Sequence, residues 1–230
     1  MLSNLKFSHS ESVTDKAVAN PKYPEKPIFV VFEGLDGSGK STQISMLKDK
    51  LRSIGRQVCV TAEPTSSTTG GLIRDALSNN YKREPAELAG LFLADRIAHN
   101  VNPVWGIKKT LEEGADVICD RYYYSSFAYQ GLGTDLKWVM DMNLNCPEIL
   151  KPDLCIYLDV APESCKNRID SDRAYLEIFE NDKNVMNQTR LKFFEVFEKL
   201  NKTENICIID ANRPIDVVAD EIFAVVMGLK

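Results

Sequence analysis

No stretch of this chain is apolar for long enough to cross a bilayer as a helix, so an anchor of that kind is not part of the reading. The first 27 residues, MLSNLKFSHSESVTDKAVANPKYPEKP, lack the continuous apolar core of a secretory signal. They also lack arginine, which argues against a mitochondrial presequence. A surplus of positive charge is missing too: 28 Lys and Arg stand against 33 Asp and Glu, giving a net charge of −5 and a pI near 5.2. Non-specific nucleic-acid binding is thereby disfavoured, while local cations in a cleft can still hold a small anion. The six cysteines, Cys59, Cys119, Cys146, Cys155, Cys165 and Cys207, contain no CxxC pair. Cys59, Cys119, Cys155 and Cys207 fall in apolar runs and read as small buried hydrophobes, not as a disulfide framework or a metal site. The expectation is a reducing, cytoplasmic setting with neither membrane nor nucleic acid as partner. After residue 27 there is no internal repeat, low-complexity tract or linker.

What is present suits one globular domain with a full core: 230 residues, 44% hydrophobic and 27% charged. The runs Ile28–Glu33, Gln57–Thr61, Ala115–Asp120, Leu154–Val160 and Ile206–Asp210 read as strands. Their near-continuous apolar character is what a parallel sheet covered on both faces requires. Between them, Ile44, Leu47, Leu51 and Ile54 keep helical spacing, as do Leu88, Leu91, Phe92 and Ile97. Val217, Val218, Ile222, Val225 and Val226 do so near the C-terminus. Pro162 and Pro214 sit where a first helical turn would begin. Repeated βαβ order predicts a three-layer α/β/α sandwich around a five-stranded parallel sheet. Residues 1–27, with Pro21, Pro24 and Pro27 near their end, read as a mobile N-terminal extension, and 28–230 as the domain.

The first strand runs into Gly34-Leu-Asp-Gly-Ser-Gly-Lys40-Ser41, which fits G-x-x-x-x-G-K-[ST]. Glycines such as Gly34, Gly37 and Gly39 let backbone N–H groups turn inward as an anion nest, with Ser38 and Thr42 alongside. The following helix N-terminus adds partial positive charge. Lys40 is expected to reach the β- and γ-phosphates of a nucleoside triphosphate, and Ser41 to ligate Mg2+. A chance match in a loop would not be flanked by a strand and a helix. The motif says how phosphate is gripped and leaves open where it goes. Asn201-Lys-Thr-Glu has the look of a guanine-reading motif, but it ends in Glu and precedes its strand. Asn187-Gln-Thr and Asn201-Lys-Thr are formal glycosylation sequons without meaning in a cytoplasmic chain.

Opposite the cradle, VICDRYYYSSFAYQG ends an apolar strand in Asp120 and Arg121. A strand-end carboxylate can hold a magnesium shell, and an arginine beside it can bind phosphate by two parallel bonds. The bland alternative is a surface ion pair, yet the carboxyl end of a central strand is where α/β sheets bind ligands. In LFLADRIAH, Phe92, Arg96 and His99 share a helical face. Phe92 beside Arg96 suits stacking on a base and reading its edge. The bland reading has Phe92 in the core, Arg96 snorkelling and His99 facing solvent, and for His99 it is the preferred one.

FEGLDGSGKSTQ, EPT…GLIRDAL, LFLADR, DRYYYSSFAYQG and KPDLCIYLDV follow one another in an order that resembles the thymidylate kinases, over residues 28 to about 214. The resemblance implies a P-loop NTPase type of fold and transfer of the γ-phosphoryl group of ATP to dTMP, with Mg2+. It implies that Asp36 faces the acceptor sugar or the magnesium shell, that Glu63 lies beside the acceptor, and that Arg74 holds the dTMP phosphate. Phe92 would stack on thymine, and Arg96 would bond its carbonyl edge. Asp120 and Arg121 would serve the reacting phosphates, Asp120 also the metal. Ser125 and Ser126 would line the base and sugar pocket. Tyr129 would crowd the sugar 2′ position, and Gln130 would complete that wall. A lid over residues 168–181 would bring Arg173, at its polar tip, or Arg168 onto the transferring group. Arg213, in the turn after the last strand, would stack on adenine. A homodimer is also implied.

Two positions depart from the family pattern. Ala62 stands where many members have arginine, which touches one acceptor-side role. Gly37 follows the P-loop aspartate where some members carry a basic residue, which shifts weight onto the lid arginines. Two rival readings remain: another deoxynucleotide or deoxynucleoside kinase, and a non-catalytic nucleotide-binding relative.

Overall fold

In the computed structural model, residues 26–172 and 183–229 are described. The elements run β1 (Phe29–Glu33), α1 (Lys40–Ser53), β2 (Val58–Ala62), α2 (Thr68–Leu77), α3 (Pro85–Val101), α4 (Ile107–Glu112) and β3 (Asp116–Asp120). They continue with α5 (Tyr123–Gly133), α6 (Leu136–Leu144), β4 (Leu154–Asp159), α7 (Pro162–Asp172), α8 (Lys183–Leu200), β5 (Ile206–Asp210) and α9 (Ile215–Met227). All five expected strands form, within a residue of the expected bounds. They pair in parallel in the order β2-β3-β1-β4-β5.

The side chains of β1 alternate between two cores, and this makes the three layers. Val30 and Phe32 face Leu47, Leu51, Val218 and Ile222 of α1 and α9. Phe29 and Val31 face Phe127, Phe193 and Phe197 of α5 and α8. Every residue of β1 is therefore buried, which accounts for its unbroken apolar run. Cys119 and Cys155 on the inner strands are buried as expected. Cys59 and Cys207 are only half-buried, because β2 and β5 are the outer strands. Pro162 opens α7 as expected, whereas Pro214 is one position early, as the N-cap of α9.

The chain leaves β1 for β2 on one side and reaches β4 on the other, so the order reverses at β1. A crevice above the carboxyl ends of β3, β1 and β4 follows from that reversal.

Candidate active site

Beyond Glu33 the chain turns into α1. Gly37 has φ +77°, and a Cβ there would stand 2.5 Å from the Cys165 carbonyl oxygen, so the turn and its neighbour both demand glycine. Gly34 and Gly39 also have positive φ. Gly39 is the N-cap of α1 and no side chain caps it, so no side chain competes with an anion there. Lys40 Nζ donates to the carbonyls of Gly34 and Leu35, each at 3.1 Å, and lies 3.8 Å from Asp36. Burial, and then the Arg121 charge, hold the Lys40 pKa below its usual value, against the pull of Asp36, Asp120 and Glu33. Phosphate in the cradle would restore it. Ser41 and Thr42 are exposed on the same cavity.

Arg121, after the last residue of β3, takes φ +67°, a left-handed conformation that a non-glycine residue keeps only when its surroundings hold it. Its Nη2 donates to Asp36 Oδ1 at 2.7 Å, its Nη1 to Ser125 Oγ at 2.9 Å, and its guanidinium lies 5.2 Å from the Tyr129 ring centre. Burial opposes the Arg121 charge most strongly, and Asp36, Tyr129, Glu33 and Asp120 together more than offset it, leaving the pKa well above its usual value.

The turn is held by Glu33, which is fully buried. Glu33 Oε1 accepts the N–H groups of Tyr122 at 2.9 Å and Ser125 at 3.0 Å, and Oε2 accepts the Ser125 hydroxyl at 2.6 Å. Tyr122, the N-cap of α5, supplies no side-chain cap, so a carboxylate from β1 takes that part. Burial pushes the Glu33 pKa up from 4.5 to about 7, against the Arg121 charge and these hydrogen bonds. Asp120 Oδ1 is buried with no hydrogen-bond partner among the described residues. A buried carboxylate oxygen without a partner and an exposed Ser41, both bordering one cavity, are oxygen donors of the kind a hard cation takes.

The remaining wall stands on α3. Asp95 is buried and accepts from Thr65 N at 2.7 Å, Thr65 Oγ1 at 2.6 Å and Ser67 Oγ at 2.7 Å, which pins the segment after β2. Arg74, exposed on α2, donates to the Thr65 carbonyl at 2.6 Å and lines the cavity. Arg96 does not snorkel: it is 1% exposed, with Nε 2.8 Å from Glu63 Oε2, Nη1 2.6 Å from Asn143 Oδ1 and Nη2 3.1 Å from Ser126 Oγ. The solvent-facing reading of His99 is overturned. The ring is fully buried, with Nδ1 3.0 Å from Glu63 Oε1 and Nε2 2.8 Å from Thr61 Oγ1, because α3 turns this face onto β2. Phe92 is partly buried against Leu88 and Ile73 and still borders the cavity.

These walls enclose a cavity of about 830 Å³. Glu63, Arg74, Phe92, Arg96, Tyr129 and Gln130 line one end, and Ala211, Ile215 and Val218 line the other. Asp36, Ser125, Arg121 and Asp120 also border it. Ser126 differs from expectation: it is buried behind the wall and supports Arg96. Arg213 borders the far end but folds onto its own turn, donating to the Asp210 carbonyl at 2.9 Å and pairing with Glu221. Arg168 Nη1 donates to the Gly37 carbonyl at 3.1 Å, so it touches the cradle. Arg173 and most of the expected lid lie outside the described residues. Glu33, Asp95 and His99 were not singled out from sequence as functional. The one available signal for Glu33 was a carboxylate closing an otherwise apolar strand.

A parallel sheet whose order reverses beside a glycine cradle, facing an arginine-rich wall in the same cavity, defines a P-loop phosphotransferase. A family model described as thymidylate kinase matches residues 32–222. A probable thymidylate kinase of Caldivirga maquilingensis is 38% identical over 86% of this chain and 93% of its own. A probable thymidylate kinase of Thermococcus kodakarensis is 36% identical over 88% and 98%. A thymidylate kinase of an Exiguobacterium species is 36% identical over 85% and 92%. The chain belongs to the thymidylate kinase family. It is a kinase with a small nucleotide substrate and a nucleotide phosphoryl donor. No helix among the described residues is long and apolar enough to cross a membrane.

Proposed function

We propose that the chain transfers the γ-phosphoryl group of ATP to dTMP, yielding ADP and dTDP. The observation that supports this best is one cavity with the cradle beside the Asp36–Arg121 pair and the Glu63–Arg96–Phe92 wall beyond it. ATP phosphates rest on the nest from Gly34 to Thr42, where Lys40 and the α1 terminus offset their charge. The adenine points to Ala211, Ile215 and Val218, beside Arg213. At the other end Phe92 stacks on thymine and Arg96 bonds its carbonyl edge. Glu63 and Gln130 flank the acceptor, and Tyr129 crowds the sugar 2′ position with Ser125 beside it. Arg74 and Arg121 hold the 5′-phosphate, with Asp36 toward the sugar.

A dTMP phosphate oxygen then bonds to the γ-phosphorus as the bond to the β-phosphate bridging oxygen breaks. No side-chain nucleophile takes part. The protein aligns two anions and cancels their repulsion. Mg2+, if held by Ser41 and Asp120, would supply charge neutralisation between the β- and γ-phosphates. Arg168 and Arg173, in a lid over 168–181, add positive charge at the transferring group, with Arg173 the principal one. The domain is 28–230, preceded by an extension, and the enzyme is a cytoplasmic homodimer.

The test is ADP release from ATP and Mg2+ with dTMP, dUMP, UMP, dCMP and thymidine offered separately. Rapid turnover on dTMP, weaker on dUMP and negligible on thymidine is expected. Turnover on thymidine would identify a nucleoside kinase. No turnover with ATP still bound would identify a non-catalytic relative.

A further inference from the structure

We propose that His99 is a positioning residue for acceptor-base selection, acting through Glu63 on Arg96. This rests on the reading above, in which Arg96 meets the carbonyl edge of the base. His99 and Arg96 share a face of α3, and Glu63 follows the last residue of β2, so the pair ties helix to sheet. All three side chains are nearly or fully buried.

The direction of each hydrogen bond follows from the chemistry. A carboxylate paired with a guanidinium at 2.7 Å can only accept. His99 Nδ1 at 3.0 Å from Glu63 Oε1 therefore carries a proton, and in the neutral tautomer of that form Nε2 is the acceptor. The Thr61 hydroxyl, 2.8 Å away, donates to it. The relay runs Thr61 O–H to His99 Nε2, His99 Nδ1–H to Glu63 Oε1, and Arg96 N–H to Glu63 Oε2. Each oxygen of Glu63 thus has its own partner, and the carboxylate cannot turn about its last torsion without breaking one contact.

Arg96 is held on its other sides by Asn143, by Ser126 and by Tyr122, whose ring centre lies 5.2 Å from the guanidinium. Only 1% of the residue is exposed, yet it lines the cavity. A base would meet a small part of the fork, whose direction is set by what stands behind it. Removing His99 leaves Glu63 Oε1 buried without a donor, and the carboxylate then turns toward the cavity and draws Arg96 with it. An arginine that has lost its direction still attracts anions but no longer separates a ring carbonyl from a ring amine.

The experiment compares dTMP with dCMP, which carries an amine where thymine has a carbonyl. It measures kcat/KM and calorimetric binding for both, in the wild type and in His99→Leu, His99→Asn and Thr61→Val. Leucine keeps bulk without the donor, and the ratio of dTMP to dCMP is expected to fall by about tenfold, mainly through the KM for dTMP. Asparagine puts an N–H near the Nδ1 position and is expected to restore most of the ratio. Thr61→Val is expected to cost about twofold to threefold. Equal losses on dTMP and dCMP in all variants, with a lower melting temperature, would show that His99 only supports the fold and would overturn the inference. Should His99→Leu fail to fold, an unchanged ratio in Thr61→Val would overturn the inference, and a loss of about twofold to threefold there, with the ratio kept in His99→Asn, would support it. A wild type that binds both nucleotides without turnover would defeat the kinase reading, while the binding ratios still decide the role of His99.

Discussion

Replacing Glu33 by glutamine keeps the shape of the buried carboxyl and removes its charge. The amide oxygen can still accept from Tyr122 N–H and Ser125 N–H, and the amide nitrogen can meet Ser125 Oγ. The energetic difference comes from ionisation. Burial raises the Glu33 pKa from 4.5 to about 7, so the folded chain holds this proton more tightly than the unfolded chain does. Stability due to this group is therefore fully present below pH 4.5 and is lost as pH rises through about 7. At roughly 1.4 kcal/mol for each tenfold change in proton affinity, ionising Glu33 costs the fold about 3 kcal/mol. Glu33→Gln is thus expected to be more stable than wild type above pH 7, by up to about 3 kcal/mol or on the order of 6–12 °C in melting temperature. Its stability should also change less between pH 4.5 and 7. Its turnover should fall, because the ionised carboxylate is the stronger acceptor for the turn that holds Arg121. Thermal and urea unfolding across this range, paired with kcat, decide it. A glutamine variant with the wild-type pH slope, or one less stable above pH 7, would refute the argument.

Gly37→Ala must place a Cβ against the Cys165 carbonyl at positive φ, and a loss of ATP affinity of about tenfold or more is expected by calorimetry. Asp95→Ala strands three donors at Thr65 and Ser67, and a loss of about 2–5 kcal/mol in urea unfolding is expected, together with a raised KM for dTMP. ATP binding at alkaline pH should take up protons, because it returns the depressed Lys40 pKa upward; binding heats there that do not depend on buffer ionisation enthalpy would refute it. Arg173→Ala should lower kcat by about a thousandfold with dTMP affinity intact, and an equal loss at Arg168→Ala with none at Arg173→Ala would reverse the assignment.

The fold was legible because its signals are local. Buried parallel strands must be apolar along their whole length, and the glycine pattern fits one turn. The cradle and the Asp120–Arg121 pair were legible for the same reason, being contiguous in sequence. The supporting network was not. His99 sits on a helix face where spacing permits either solvent or sheet, and only the packing of α3 against β2 decides between them. Ser126 is adjacent to Ser125, and no pattern in the text tells which hydroxyl borders the cavity. Glu33 gains its part from Tyr122 and Ser125, about ninety positions away. Cys59 and Cys207 read like the inner-strand cysteines because an edge strand differs from an inner one only through its neighbours.

The cavity walls have a plain order along the chain. Glu63, Arg74, Phe92, Arg96, Tyr129 and Gln130 all precede β4, while Ala211, Ile215 and Val218 all follow it. The two ends are thus encoded by successive blocks of sequence, and the cradle, from Gly34 to Thr42, lies in the first of them. Recombination near residue 145 could exchange one block and leave the other intact. A single crossover there would carry the cradle along with the acceptor wall and join both to an inherited adenine end, so the phosphate grip and the acceptor pocket would travel together.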